Sequence, residues 1–71
     1  MNNIAMKFND IKIYDVNKNC VIHECSGAIR YPEIDDIVKI DNKVFNVTGR
    51  VFDFNDYTIY LFVQFEQLVE E

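Results

Sequence analysis

Asp36-Ile37-Val38-Lys39-Ile40-Asp41-Asn42-Lys43-Val44-Phe45-Asn46-Val47-Thr48-Gly49-Arg50-Val51-Phe52-Asp53-Phe54 decides the fold class. Apolar residues alternate with polar ones on both sides of Asp41-Asn42, the pattern of two strands joined by a two-residue turn. Asp and Asn both tolerate the positive φ that a type I′ turn demands. The return strand, Lys43 to Phe54, is long, and its parity changes part-way. Phe45 and Val47 share one face before Gly49, whereas Phe52 and Phe54 fall on the other parity after it. A bulge at Thr48-Gly49 brings all four onto one face and bends the strand, so that the sheet curls.

Toward the C-terminus, Asn55-Asp56 reads as a second turn and Tyr57 to Phe65 as the last strand. One parity of that strand carries Tyr57, Ile59, Leu61, Val63 and Phe65, and the other carries Tyr60 and Phe62. A strand with one wet face shows polar residues at alternate positions. Here both faces are apolar, so the N-terminal segment and tail cover the second face, or another chain does. The tail, Glu66 to Glu71, reads as a short helical turn or a frayed end.

Toward the N-terminus, Ser26 to Asp35 has no periodicity and holds Pro32, which lacks an N–H and keeps Tyr31 extended, so it is a loop or a sheet-edge crossing. Ile11 to Asp15 and Cys20 to Cys25 form a hairpin around Val16-Asn17-Lys18-Asn19. Ile4 to Phe8 also alternates, until Asn9-Asp10 interrupts it.

Val, Ile and Thr number 19, against six for Ala, Leu and Met together. Side chains branched at Cβ suit a pleated sheet better than a helix. Only two glycines serve the turns, and 15 Asn and Asp residues take their place. The expectation is an all-β fold: a small curled antiparallel sheet or SH3-like barrel of about five strands, residues 1–71 forming a single domain. A chain of 71 residues buries a small core. A five-residue Cys20–Cys25 loop within one strand is a poor disulfide. Dense packing or self-association is the expected stabiliser.

Pro32-Glu33-Ile34-Asp35-Asp36-Ile37-Val38-Lys39-Ile40-Asp41-Asn42-Lys43-Val44-Phe45-Asn46-Val47 resembles the opening hairpin of SH3-like small β-barrels. With Val51-Phe52-Asp53-Phe54 it also resembles short bacteriophage and mobile-element proteins of uncharacterised function. The likeness covers about half the chain, and Asp35 stands where that group usually has Gly. It implies a fold and no catalytic residue.

Function is read mainly by exclusion. A net charge of −5, with five Lys and two Arg scattered among 12 acids, argues against direct nucleic-acid binding, which needs a basic face. The longest apolar run, Ile59 to Val63, is far short of the roughly 18–20 residues that span a bilayer. The N-terminus carries no secretory pattern. Two free thiols point to a reducing cytoplasm. Glycine-rich phosphate loops and a serine nucleophile elbow are missing, so the chain does not read as an enzyme, and no cofactor is expected.

Cys20-Val21-Ile22-His23-Glu24-Cys25 has the donor types of a zinc site. Strand alternation, however, places His23 and Cys25 on one face and Cys20 on the other, and no fourth ligand exists. Asp35-Asp36 and Asp53/Asp56 pair carboxylates at predicted turns, where Asp serves the backbone. The reading that remains is a non-enzymatic protein-binding module, in its phage-like form an inhibitor or modulator of a host protein with a basic surface. Glu33, Asp35, Asp53 and Asp56 would steer, and Tyr60 and Phe62 would anchor. Alternatives are a self-associating assembly subunit, a homo-oligomer, or a metal- or small-ligand-binding protein using Cys20, His23 and Cys25.

Overall fold

The computed structural model describes residue 8, residues 10–27 and residues 30–69. Five strands follow in chain order: β1 (Asp10–Asp15), β2 (Cys20–Ser26), β3 (Ile37–Ile40), β4 (Lys43–Asp53) and β5 (Thr58–Leu68). They form one sheet in the order β2-β1-β5-β4-β3, curled into a half-barrel. The small all-β fold of five strands expected from the sequence is therefore present. Among the described residues no helix is long and apolar enough to cross a membrane.

Alternation selects the core. Ile11 and Ile13 of β1, Ile59, Leu61 and Val63 of β5, and Phe45 and Val47 of β4 join Phe8 in one buried cluster on the concave face. Ile22 of β2 and Ile40 of β3 come from opposite edges of the sheet, yet both pack on this cluster and line one cavity of about 240 Å³. The curl thus brings the two edge strands toward each other without hydrogen-bonding them into a closed barrel.

The bulge in β4 lies where parity demands it. Val47 pairs with Val63 and Gly49 with Phe62, leaving Thr48 as the extra residue. Phe52 then opposes the buried Ile59 and returns to the face of Phe45 and Val47. A further slip falls between Val44 and Phe45, and another in the β1–β2 pairing beside Tyr14. Gly49 does not have a left-handed backbone. Positive φ falls instead on Asn19, Asp35, Asp41 and Tyr57, and on Gly27. In the Asp41-Asn42 turn only Asp41 is positive, so the two positive angles of a type I′ turn are not found.

Two details differ from expectation. The sheet is mixed, because β1 runs parallel to β5, from Asp10 opposite Thr58 to Asp15 opposite Val63. The chain crosses from one sheet edge to the other between β2 and β3, and the β3-β4-β5 meander then returns to place β5 beside β1. Reading hairpins between sequence neighbours cannot reveal such a pairing. The tail, in turn, is no helical turn: residues 66–68 prolong β5, with Gln67 opposite Val44 and Leu68 opposite Lys43. Val69 N–H donates to the Asn42 carbonyl at 2.8 Å, so the long β4 supplies the partner that extends the tail. Alternation over residues 4–7 lies outside the described residues.

Candidate functional site

Strand directions gather one end of the half-barrel. The start of β1, the end of β2 and the β4–β5 hairpin meet there, and the loop that crosses to β3 reaches this end through Tyr31 before β3 begins opposite Asn46 in mid-β4. Two backbone bonds seat that loop on β4: Asp35 N–H donates to the Val47 carbonyl at 2.8 Å, and Val47 N–H donates to the Asp36 carbonyl at 2.9 Å. Asp36 closes the loop on itself, its Oδ2 accepting from Glu33 N–H at 2.8 Å. Asp35 has φ +77°, the left-handed conformation that glycine adopts at no steric cost.

An aromatic cluster fills the same end. Phe8 is buried, and Phe52, Phe54 and Tyr57 lie around it at 5.2, 5.4 and 6.2 Å between ring centroids, the first two edge-to-face. Tyr31 OH donates to the Phe8 carbonyl at 3.0 Å and ties the crossing loop to the cluster. The rings around Phe8 are not covered: Phe54 is 59% exposed, and Phe52 and Tyr57 are exposed. Carboxylates flank them in sequence, Asp53 between Phe52 and Phe54, and Asp56 before Tyr57. This end is thus an apolar centre with an acidic rim, the general anatomy of a protein-docking surface.

The acids chosen from the sequence fall here, with different duties. Asp53 Oδ1 accepts from Asn55 N–H at 2.9 Å and from Asp56 N–H at 3.4 Å, so its carboxylate shapes the hairpin turn. Asp56, Glu33 and Asp35 are exposed. Tyr60 and Phe62 do not join this surface. They lie half-buried on the convex face, Phe62 edge-to-face with Tyr14 at 5.4 Å and Tyr60 beneath the Lys12 ammonium at 5.9 Å. Their neighbours are side chains of the same sheet, because β5 is its central strand. The tail does not fold over them.

Local sequence does not single out Phe52, Phe54 and Tyr57 as anchors. Phe52 and Phe54 have core parity, and parity does not report that a strand end leaves its core face open. Phe52-Asp53-Phe54-Asn55-Asp56-Tyr57 did hold a signal, three aromatics within six residues around a turn.

In β2 the slip in pairing changes the geometry of the thiols. Cys20 opposes Asp15, His23 opposes Ile13 and Cys25 opposes Ile11, so all three stand on the core parity. Simple alternation placed Cys20 on the other face; the extra residue at Ile22 overturns that. Nevertheless, among the described residues no group of three His, Cys, Asp or Glu side chains is close enough to hold a metal ion. Both cysteines are free and exposed.

No protein-family model matches the chain, and comparison with curated proteins and with solved structures returns no match.

Proposed function

We propose that this protein is a non-enzymatic binding module that docks on another protein through the acid-rimmed aromatic end. The observation that supports this reading is the exposure of Phe52, Phe54 and Tyr57 on a hairpin whose intervening residues include Asp53 and Asp56. Large rings on a rigid hairpin offer contact area at low entropic cost, and the acids favour a partner with a basic surface. In the form suggested by the phage-like resemblance, the module modulates a host protein in the cytoplasm. Compared with the sequence reading, the anchors move from Tyr60 and Phe62 to Phe54, Phe52 and Tyr57, while the steering acids stay at Glu33, Asp35, Asp53 and Asp56.

The test is capture from a bacterial lysate with the tagged protein, its Phe54→Ala variant and its Asp53→Lys/Asp56→Lys variant. A partner held at low salt, released at high salt and lost in both variants supports the reading. A partner retained equally by all three overturns this surface. The self-association alternative draws on one feature, the unpaired outer edge of the seven-residue β2. Light scattering at micromolar concentration decides it: a monomer removes that alternative.

A further inference from the structure

We propose that the groove between the crossing loop and β4 binds a carboxylate-bearing peptide segment, held by Arg50 and Arg30. The groove is open, with a volume of about 750 Å³; the crossing loop lines it with Arg30, Tyr31, Glu33 and Asp36, and β4 lines it with Arg50 and Phe52. The chain has only two arginines, and both line this one groove in a protein of net charge −5.

Arg50 is held ready for a ligand. It follows the Thr48 bulge on the concave parity, opposite the fully buried Leu61, and is itself half-buried. Its guanidinium lies 5.0 Å from the Phe52 ring centre, and Nη1 donates to the Pro32 carbonyl at 3.2 Å. That is its one hydrogen bond among the described residues, so most of a five-donor planar fork remains for a ligand. A fork fixed by stacking and by one backbone contact matches a carboxylate in two-point geometry and loses little entropy on binding it.

The acids in the lining narrow the ligand class: beside Glu33 and Asp36 a ligand with one carboxylate is opposed less than a string of phosphates, which disfavours a nucleic-acid backbone. The same acids accept hydrogen bonds from peptide N–H groups beside a carboxylate, and Tyr31 and Phe52 offer apolar contact to a neighbouring side chain. The volume lies within the range of about 300–1,000 Å³ typical of ligand pockets and far exceeds one carboxylate. An acidic residue followed by an apolar one is the ligand that uses all of these groups. The groove shares Phe52 and Glu33 with the docking surface above, but its arginines are not part of that surface, and Phe54, Asp53 and Asp56 of that surface are not part of the groove.

The experiment is a titration of the 15N-labelled protein, followed by NMR, with acetyl-Glu-Phe-amide, acetyl-Gln-Phe-amide and inorganic phosphate. The Glu peptide is expected to shift the Arg50 Nε–H and the Phe52 amide saturably. The Gln peptide is expected to bind about tenfold more weakly or less, the effect of losing one charge-assisted pair. Arg50→Lys retains charge without the fork and lowers affinity by a similar factor, as does Arg30→Gln; an unchanged spectrum elsewhere shows that each variant is folded. Asp53→Lys/Asp56→Lys leaves peptide binding in place, so failure here and failure of the docking surface are separate results. No saturable shift, equal binding of the Glu and Gln peptides, phosphate binding as tight as the peptide, or unchanged affinity in Arg50→Lys would each overturn the proposal.

Discussion

Asp15 and Asp53 offer the same turn chemistry at two depths, and that pair isolates the contribution of burial. Asp15 Oδ1 accepts from Asn17 N–H at 2.8 Å and from Lys18 N–H at 3.3 Å, closing the β1–β2 turn. The bonds at Asp53 are within 0.1 Å of these lengths, 2.9 and 3.4 Å. Asp15 is only 2% exposed and its two bonds are part-buried, whereas Asp53 is half-buried and its bonds are exposed. A charge-assisted hydrogen bond shielded from water contributes about 1.5–3 kcal/mol, a partly buried one such as those of Asp15 lies toward that range, and water replaces most of an exposed one. Asp15→Ala is therefore expected to cost about 2–3 kcal/mol and Asp53→Ala about 0.5–1 kcal/mol. At about 0.05–0.15 kcal/mol per residue the whole domain has only about 4–11 kcal/mol to lose. With a urea slope of about 1 kcal/mol per molar, the unfolding midpoint falls by about 2–3 M for Asp15→Ala and by at most about 1 M for Asp53→Ala. Asp15→Asn keeps an acceptor in place and recovers at least half of the loss. Equal midpoints for the two alanine variants would refute the burial argument, and an Asp15→Asn as unstable as Asp15→Ala would show that charge, not acceptor geometry, holds the turn.

Three further outcomes follow from the fold. A Cβ at Gly49 meets Phe62 at 3.6 Å, ordinary contact, and the φ there is not left-handed, so Gly49→Ala is expected to be neutral or stabilising by up to about 1 kcal/mol in the same urea assay. At Asp35, Gly relieves the left-handed strain but adds unfolded-state freedom, so Asp35→Gly stays within about 0.5 kcal/mol of the parent, while Asp35→Val loses more than about 1 kcal/mol. Leu61 is fully buried at the centre of the sheet, and Leu61→Ala is expected to cost about 2–5 kcal/mol, leaving a domain whose thermal transition is broad or lost.

Strand existence and the β4 bulge were legible because both are written in local parity. Phe45 and Val47 against Phe52 and Phe54 demand a slip near Gly49, and the slip is at Thr48. The doubly apolar Ile59–Val63 run was legible as a puzzle, but its solution was not. Tyr60 and Phe62 are covered by Lys12 and Tyr14, whose strand pairs with β5 across 48 residues (Asp10 with Thr58, 58 − 10), and no local pattern reports so distant a neighbour. Gly49 marks the bulge without a left-handed φ, and positive φ falls on Asn19, Asp35 and Asp41, the residue types expected to stand in for glycine, as well as on Tyr57 and Gly27. Of the candidate site, the acids were readable from composition and turn position. The anchors were not, because exposure at a strand end depends on where the curl stops, and Phe54 stands just past the end of β4.

The position of β5 also has a temporal meaning. As the chain emerges from the ribosome, β1–β2 and β3–β4 can each pair as hairpins, but no strand yet joins them, and isolated hairpins are marginal in water. The keystone arrives last. Until Thr58–Leu68 enters, neither hairpin has a core to pack on, and the loop closed at that step spans 48 of the 71 residues (58 − 10). Such long-range closure slows folding and prolongs the life of exposed strand edges. For a nascent chain the interval before β5 inserts, not the finished half-barrel, is when aggregation threatens most.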